Sequence, residues 1–213
     1  MNKFSYLLGI ALLAMTHAQW VQADVIADTG VPQGSGYASL SLDSGDWLAA
    51  QFATTQEWKI GGIEGYITDN GDDTQIGNSF TISVYKNNAD NLPTLAGKEF
   101  SRSVKFTGNG WNGLTGLNLD LSAGSYWVAF EIGAGNTLQG SMPVSTANPL
   151  TTAWYDGIST GGYQATTGVG NDFGVFITSV PATPNTAVPL PPGLLLFISG
   201  LLSIGCSGKR QSF

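Results

Sequence analysis

The middle of the chain alternates apolar and polar residues at a period of two. Residues 80–85 read Phe-Thr-Ile-Ser-Val-Tyr, and residues 117–122 read Leu-Asn-Leu-Asp-Leu-Ser. Because neighbouring side chains of a strand point to opposite faces, such segments place one face on a core and the other toward solvent. The 29 glycines and the small share of charged residues, 11%, also disfavour helices. The sequence therefore predicts an all-β fold.

Strand-like segments recur along the chain, with turns rich in Gly, Asn, Asp and Pro between them. Eight strands are predicted, at Tyr37–Leu42, Trp47–Thr54, Trp58–Thr68, Phe80–Lys86, Lys98–Phe106, Leu114–Leu121, Ser125–Ile132 and Phe173–Val180. Residues 133–172 are rich in Gly, Ser and Thr and are expected to add one or two further strands. This pattern predicts two packed antiparallel sheets, a β-sandwich of jelly-roll type, over residues 24–180.

The N-terminal segment has the layout of a secretory signal peptide. A basic start at Lys3 precedes an apolar stretch at residues 4–15. Small residues at Val21 and Ala23 predict cleavage after Ala23, with Ala18 as a second choice. Residues 1–23 are therefore expected to direct the chain to the export translocon.

The predicted exported domain lacks two residue types that are common in active sites. The single His is His17, in the signal peptide, and the single Cys is Cys206, near the C-terminus. Catalytic Ser-His-Asp and Cys-His sites, zinc sites built on His or Cys, and disulfides are therefore excluded from residues 24–187. A domain without these groups favours binding over catalysis, so we expect that the protein is not an enzyme.

The charge balance of the same domain is strongly acidic. Residues 24–187 hold all 15 acidic residues of the chain but only five basic ones, which gives a net charge of −10. Nucleic acid is thus an unsuitable partner, because its phosphates require basic side chains.

The C-terminus combines three different segments. Residues 181–187 form a Pro- and Thr-rich linker, and residues 188–213 contain a proline motif, a short apolar stretch and the basic pair Lys209-Arg210. The membrane segment is expected at residues 192–208, as a short hydrophobic helix that barely reaches across a bilayer. The basic pair would stay on the cytoplasmic side.

Val188, Pro189, Leu190 and Pro191, followed by the apolar stretch and by Lys209 and Arg210, resemble the PEP-CTERM sorting signal of Gram-negative bacteria in its Val-Pro-Leu-Pro form. Leu190 replaces the glutamate of that motif, and the basic cluster is short. The resemblance implies processing by an exosortase-like enzyme, a transient hold in the inner membrane, and a final place on the cell surface or in a biofilm matrix. The alternative is a plain C-terminal anchor.

The central segment, from residue 81 to residue 130, resembles the β-sandwich ectodomains that precede such signals, some distant relatives of which bind carbohydrate. Aromatic side chains on loops are the groups that could stack on sugar rings. Trp111, between Gly110 and Asn112, and the pair Trp154 and Tyr155 are the candidates. The alternative is that these rings close the ends of the sandwich.

Carboxylates supply the remaining candidate chemistry. Asp69, Asn70, Asp72 and Asp73 offer the oxygen ligands that calcium prefers, although they lack the spacing of a full calcium-binding loop. The alternative is a solvated hairpin turn in which Asn70 and Gly71 adopt positive φ. No other cofactor is expected.

Glu64 and Glu131 lie in predicted strands and could face a groove, but nothing in the sequence pairs them for glycoside cleavage. We therefore expect an exported surface or matrix protein that adheres to or organises exopolysaccharide in a biofilm. A glycan-active enzyme and a purely structural surface protein are the alternatives.

Overall fold

The computed structural model describes residues 22–33, 39–156, 161–166 and 171–181. These residues belong to one compact unit, Gln22–Pro181. The sorting motif and the predicted membrane segment lie outside the described residues, as do nearly all of the predicted signal peptide and linker. Within the described part of the chain, no helix is long and apolar enough to cross a membrane.

The described residues form twelve strands, and every strand pairing is antiparallel. The strands are β1 (Val25–Asp28), β2 (Ser39–Leu42), β3 (Trp47–Thr54), β4 (Trp58–Ile67), β5 (Ser79–Asn87), β6 (Pro93–Lys105), β7 (Gly110–Leu121), β8 (Gly124–Glu131), β9 (Gly140–Pro143), β10 (Thr152–Tyr155), β11 (Gln164–Ala165) and β12 (Val175–Ser179). A 3-10 turn at Asp73–Gln75 precedes β5. The predicted all-β fold is confirmed.

The strands form two main sheets and one small one. The four-stranded sheet has the order β1-β12-β4-β7, and the six-stranded sheet has the order β11-β10-β3-β8-β5-β6. Strands β2 and β9 form a separate pair. Without β10 and β11, the two main sheets contain eight strands, namely β1, β3 to β8 and β12. Numbered one to eight along the chain, these strands have the order 1-8-3-6 in the four-stranded sheet and 2-7-4-5 in the six-stranded sheet.

One apolar core lies between the two main sheets. It contains Ile63 and Ile177 from the four-stranded sheet and Phe80, Ile82 and Phe130 from the six-stranded sheet, all completely buried. A shared core between two facing sheets is the arrangement of a β-sandwich. The remaining face of each main sheet points away from this core, because alternate side chains of a strand point to opposite sides.

All eight predicted strands are present, although β6 and β7 begin earlier than predicted, at Pro93 and Gly110. Strand β1 was not predicted, and the described residues between 133 and 172 hold three strands rather than one or two. These additional strands are two to four residues long, and β9 begins with Gly-Ser. Segments of this length show no period-two signal, so their strand conformation depends on pairing with neighbours in the fold.

Candidate functional site

The register of the four-stranded sheet places an aromatic cluster on its outward side. Trp111 of β7 lies directly opposite Tyr66 of β4, and Phe176 of β12 lies opposite Glu64 of β4. The residues on either side of these positions, such as Ile63 and Ile67 in β4, are buried in the core. Tyr66, Trp111, Phe176 and Glu64 therefore share the outward side, which we call the open face.

The three rings of the open face contact one another. The ring centroids of Trp111 and Tyr66 are 5.5 Å apart with an edge-to-face angle of 86°. Those of Trp111 and Phe176 are 6.0 Å apart at 54°. All three side chains are half-buried. Trp111 thus sits between two other rings and forms the centre of a continuous aromatic surface.

The polar groups of this cluster have no partner within the described part of the chain. The Tyr66 hydroxyl, the Trp111 indole N–H and the Glu64 carboxylate make no hydrogen bond or ion pair there. These three groups are not fully buried either. Among the described residues, Trp47 Nε1 is the one fully buried side-chain nitrogen or oxygen atom without a hydrogen-bond partner. Partial burial nevertheless raises the pKa of Glu64 above its usual value. The open face therefore presents a donor, a hydroxyl and a carboxylate beside apolar rings.

Gly113 leaves the space that Glu64 occupies on this face. A Cβ at Gly113 would lie 2.1 Å from the Ile63 carbonyl oxygen and 2.9 Å from Glu64 Cγ. Gly174 likewise lies against Tyr66, where a Cβ would be 2.5 Å from Tyr66 Cβ. Small residues at these two positions thus fix how closely the large side chains of the open face approach the backbone.

The outward side of the six-stranded sheet carries a second aromatic cluster, which is buried. We call this side the covered face; it comprises Tyr85, Trp127, Glu131 and Tyr155, with Tyr163 packed on top. Tyr163 lies between β10 and β11, and it is 5% exposed, whereas Trp127 is not exposed at all. The ring centroid of Tyr163 lies 6.0 Å from that of Tyr85 and 5.5 Å from that of Tyr155.

Hydrogen bonds satisfy the polar groups at the centre of the covered face. The Glu131 carboxylate accepts bonds from Ser83 Oγ at 2.7 Å, Tyr85 Oη at 2.6 Å and Tyr163 Oη at 2.9 Å. Lys98 Nζ lies 3.8 Å from the same carboxylate. Desolvation, together with the charge of Glu131, raises the pKa of Tyr163 well above its usual value. The covered face is thus a second small core.

Strand alternation separates the predicted pair Trp154 and Tyr155. Trp154 lies opposite Leu48 and packs on the main core, whereas Tyr155 lies opposite Trp47 on the covered face, with ring centroids 4.7 Å apart. Trp154 also lines a cavity of about 300 Å³ with polar and acidic neighbours. The other lining residues are Ser39, Leu40, Ser41, Asp46, Leu48, Thr166 and Asn171.

The three predicted sugar-binding residues therefore lie in three places, and they do not form a single site. Only Trp111 lies on the open face. Its neighbours Tyr66 and Phe176 were not among the predicted site residues, although both lie in predicted strands. The alternation of apolar and polar residues places both side chains on the face opposite the core. The sequence does not show whether other residues cover that face, so it could not identify the two rings as accessible.

The acidic segment at Asp69, Asn70, Asp72 and Asp73 connects β4 to β5, which belong to different sheets, so the predicted hairpin is wrong. The predicted positive φ is confirmed, at 57° for Asn70 and 84° for Gly71.

Two carboxylates of this segment accept hydrogen bonds within the turn. Asp69 Oδ1 accepts a bond from the Gly71 N–H at 2.8 Å. Asp72 accepts bonds from Thr74 and Gln75, which lower its pKa. No group of three or more His, Cys, Asp or Glu side chains in the described ranges is placed to hold a metal ion.

Glu64 and Glu131 do not pair. Glu64 lies on the open face and Glu131 on the covered face, with the main core between the two sheets. A carboxylate pair for glycoside cleavage requires both groups on one side of the sugar-binding surface, at a separation of roughly 5 to 9.5 Å. These two glutamates cannot meet that requirement.

No known protein-family model matches the chain, and no curated protein is significantly similar to it.

Proposed function

We propose that this chain is an exported surface or matrix protein whose jelly-roll-type domain adheres to extracellular polysaccharide through the open face. The observation that carries the proposal is the contact of Trp111 with Tyr66 and Phe176 beside polar groups that have no described partner. The strand orders 1-8-3-6 and 2-7-4-5 support the jelly-roll part of the proposal.

The chemistry of sugars matches this surface. A sugar ring has an apolar C–H face that packs on aromatic rings, and hydroxyls around its edge that need hydrogen-bond partners. The open face offers rings for the first and the Tyr66 hydroxyl, the Trp111 N–H and the Glu64 carboxylate for the second. Because the cluster lies on an outward sheet face, a long polymer can lie across it without having to enter a cavity.

The proposed location rests on the sequence of the two ends. The export translocon and an exosortase-like enzyme are the proposed processing partners, and the motif at residues 188–191 with Lys209 and Arg210 is the proposed sorting signal. Intact-mass measurement of the protein recovered from cells tests this part. We expect a chain that begins at Asp24 and ends near the proline motif, and a mass that extends to Phe213 would overturn it.

Two variants test binding. The sequence alone does not indicate which of the two should weaken binding more. Trp111→Ala removes the centre of the open face, and Tyr155→Ala removes a half-buried ring from the covered face. The full chain, purified in a mild detergent, is incubated with insoluble polysaccharides, and the bound fraction is measured by cosedimentation. We expect Trp111→Ala to weaken binding at least tenfold, since a stacked ring is commonly a dominant contact, and Tyr155→Ala to leave binding within about twofold.

Thermal unfolding of both variants shows whether a loss of binding reflects a loss of folding. Loss of binding in Tyr155→Ala alone would move the site to the covered face. Absence of binding to every polysaccharide by the folded wild type would overturn the proposal and leave a purely structural surface protein.

A further inference from the structure

Two carboxylates flank the aromatic cluster of the open face. Glu64 of β4 and Asp28 of β1 both lie opposite Phe176, which belongs to the strand between them, β12. The two acids therefore lie on either side of the same residue. Two strand spacings separate them, about 10 Å between backbones. Asp28 is exposed, and among the described residues its carboxylate accepts one hydrogen bond, from the Gly30 N–H at 2.8 Å.

The same sheet offers no free positive charge. Strands β1, β4, β7 and β12 contain one basic residue, Lys59. Its Nζ lies 3.1 Å from Asp120 Oδ1, so this charge is already paired. The other four basic residues of the exported domain lie on β5 and β6, in the other main sheet. The open face is therefore acidic as well as aromatic.

From this combination we infer that the open face binds a polysaccharide that carries free amino groups, that is, a polymer of partly or fully deacetylated amino sugars. The inference rests on the proposed function and adds the ligand class to it.

An ammonium group is attracted both to the face of an aromatic ring and to a carboxylate. Trp111, Tyr66 and Phe176 supply the rings, and Glu64 and Asp28 supply the charges. A polysaccharide that carries uronates or sulfates would instead meet like charge across the whole face. The net charge of −10 on residues 24–187 opposes such a polymer at longer range as well.

The surroundings of Glu64 suit the binding of a cation. Desolvation raises its pKa, and within the described ranges no basic side chain pairs with it to offset the burial. A bound ammonium group would offset it, so ligand binding and ionisation of Glu64 should favour each other.

The test compares two soluble probes, the β-1,4-linked hexamer of glucosamine and the matching hexamer of N-acetylglucosamine. Affinities of the full chain in detergent are measured by calorimetry at about pH 6, where most amines of the first probe still carry a charge and an ordinary glutamate carboxylate is ionised. We expect the glucosamine hexamer to bind about tenfold more tightly, the effect of one ion pair with a ring contact. The difference should shrink with added salt.

Glu64→Gln and Glu57→Gln provide the matched pair of variants. Both remove one negative charge without changing side-chain size, but Glu57 is exposed between β3 and β4, outside the four-stranded sheet. We expect Glu64→Gln to abolish most of the preference for the amine and Glu57→Gln to retain it.

Other outcomes would overturn the inference. Equal loss of preference in the two variants would show general attraction to an acidic protein. Equal affinity for the two hexamers, or binding of some other polysaccharide but neither hexamer, would exclude amine recognition while leaving the proposed function intact. Absence of binding to any polysaccharide would overturn both this inference and the proposed function.

Discussion

The open face and the covered face are built from the same residue types, yet they end in opposite states. Each carries tryptophan, tyrosine and glutamate on the outward side of an antiparallel sheet. On the covered face, Trp127 Nε1 donates to Asn87 Oδ1 at 2.7 Å, and Glu131 accepts three hydroxyl bonds. On the open face, the corresponding groups of Trp111 and Glu64 have no described partner.

The difference comes from what lies on each sheet. Tyr163, between β10 and β11, and Leu92, between β5 and β6, pack on the covered face and join its buried cluster. These contacts exclude water, so every polar group beneath them must find a partner inside the protein or destabilise the fold. Polar groups that remain open to water carry no such requirement, and they are available to a ligand. Residue type alone therefore does not identify a binding surface.

Truncation of the two tryptophans should show the largest contrast between the faces. Trp127 is completely buried, so Trp127→Ala is expected to lower the free energy of unfolding by about 3–5 kcal/mol. Trp111→Ala is expected to lower it by about 1 kcal/mol or less, because its ring is only half-buried. Urea unfolding followed by circular dichroism measures both. Similar losses in the two variants would mean that the open face is a structural core like the other.

The two glutamates should differ next, by a smaller amount. Glu131→Ala leaves the hydroxyls of Ser83, Tyr85 and Tyr163 without their acceptor, and we expect a loss of about 2–4 kcal/mol. Glu64→Ala removes no hydrogen bond within the described residues and should change stability by less than about 1 kcal/mol. The comparison uses the same urea titration. A large loss for Glu64→Ala would reveal a structural role that its surroundings do not indicate.

The smallest expected effect is the pH dependence at Glu64. Its pKa is raised in the folded state, so the folded chain holds the proton more tightly than the unfolded chain, and the group favours folding more as the pH falls. At neutral pH the ionised carboxylate therefore opposes folding slightly. We expect Glu64→Gln to be marginally more stable than the wild type at pH 7 and equal to it at pH 3.

Urea unfolding at the two pH values tests this sign, and Glu57→Gln again serves as the control. A variant that is less stable than the wild type at pH 7 would contradict the prediction.

Much of the fold could be predicted because long alternating strands carry their own signal. Strand Trp47–Thr54 was predicted with its exact ends, and the turn residues Gly45 and Asp46 mark where it begins. Strands β1 and β9 to β11 were missed or left unassigned, because two to four residues cannot display a period and their pairing partners lie far away in sequence. Similarly, Asn70 and Gly71 predicted a turn with positive φ but not which strands it connects.

The candidate site was only partly predictable for the same physical reason. Trp111, Trp154 and Tyr155 were selected as loop residues, which is wrong, because Trp111 lies in β7 and the other two lie in β10. Trp154 and Tyr155 were also treated as one surface, although adjacent strand residues point to opposite faces. Tyr66 and Phe176 were not selected, because their role depends on register across three strands, β7, β4 and β12.

The sequence by itself determined the strand-rich character of the chain, its acidic charge and the absence of His and Cys from residues 24–187, since these follow from composition and local periodicity. Only the tertiary structure decided which of two chemically similar sheet faces is covered. The covered face is buried because Leu92 and Tyr163 pack on it. Such long-range packing leaves no periodic signal in the sequence of the residues that it buries.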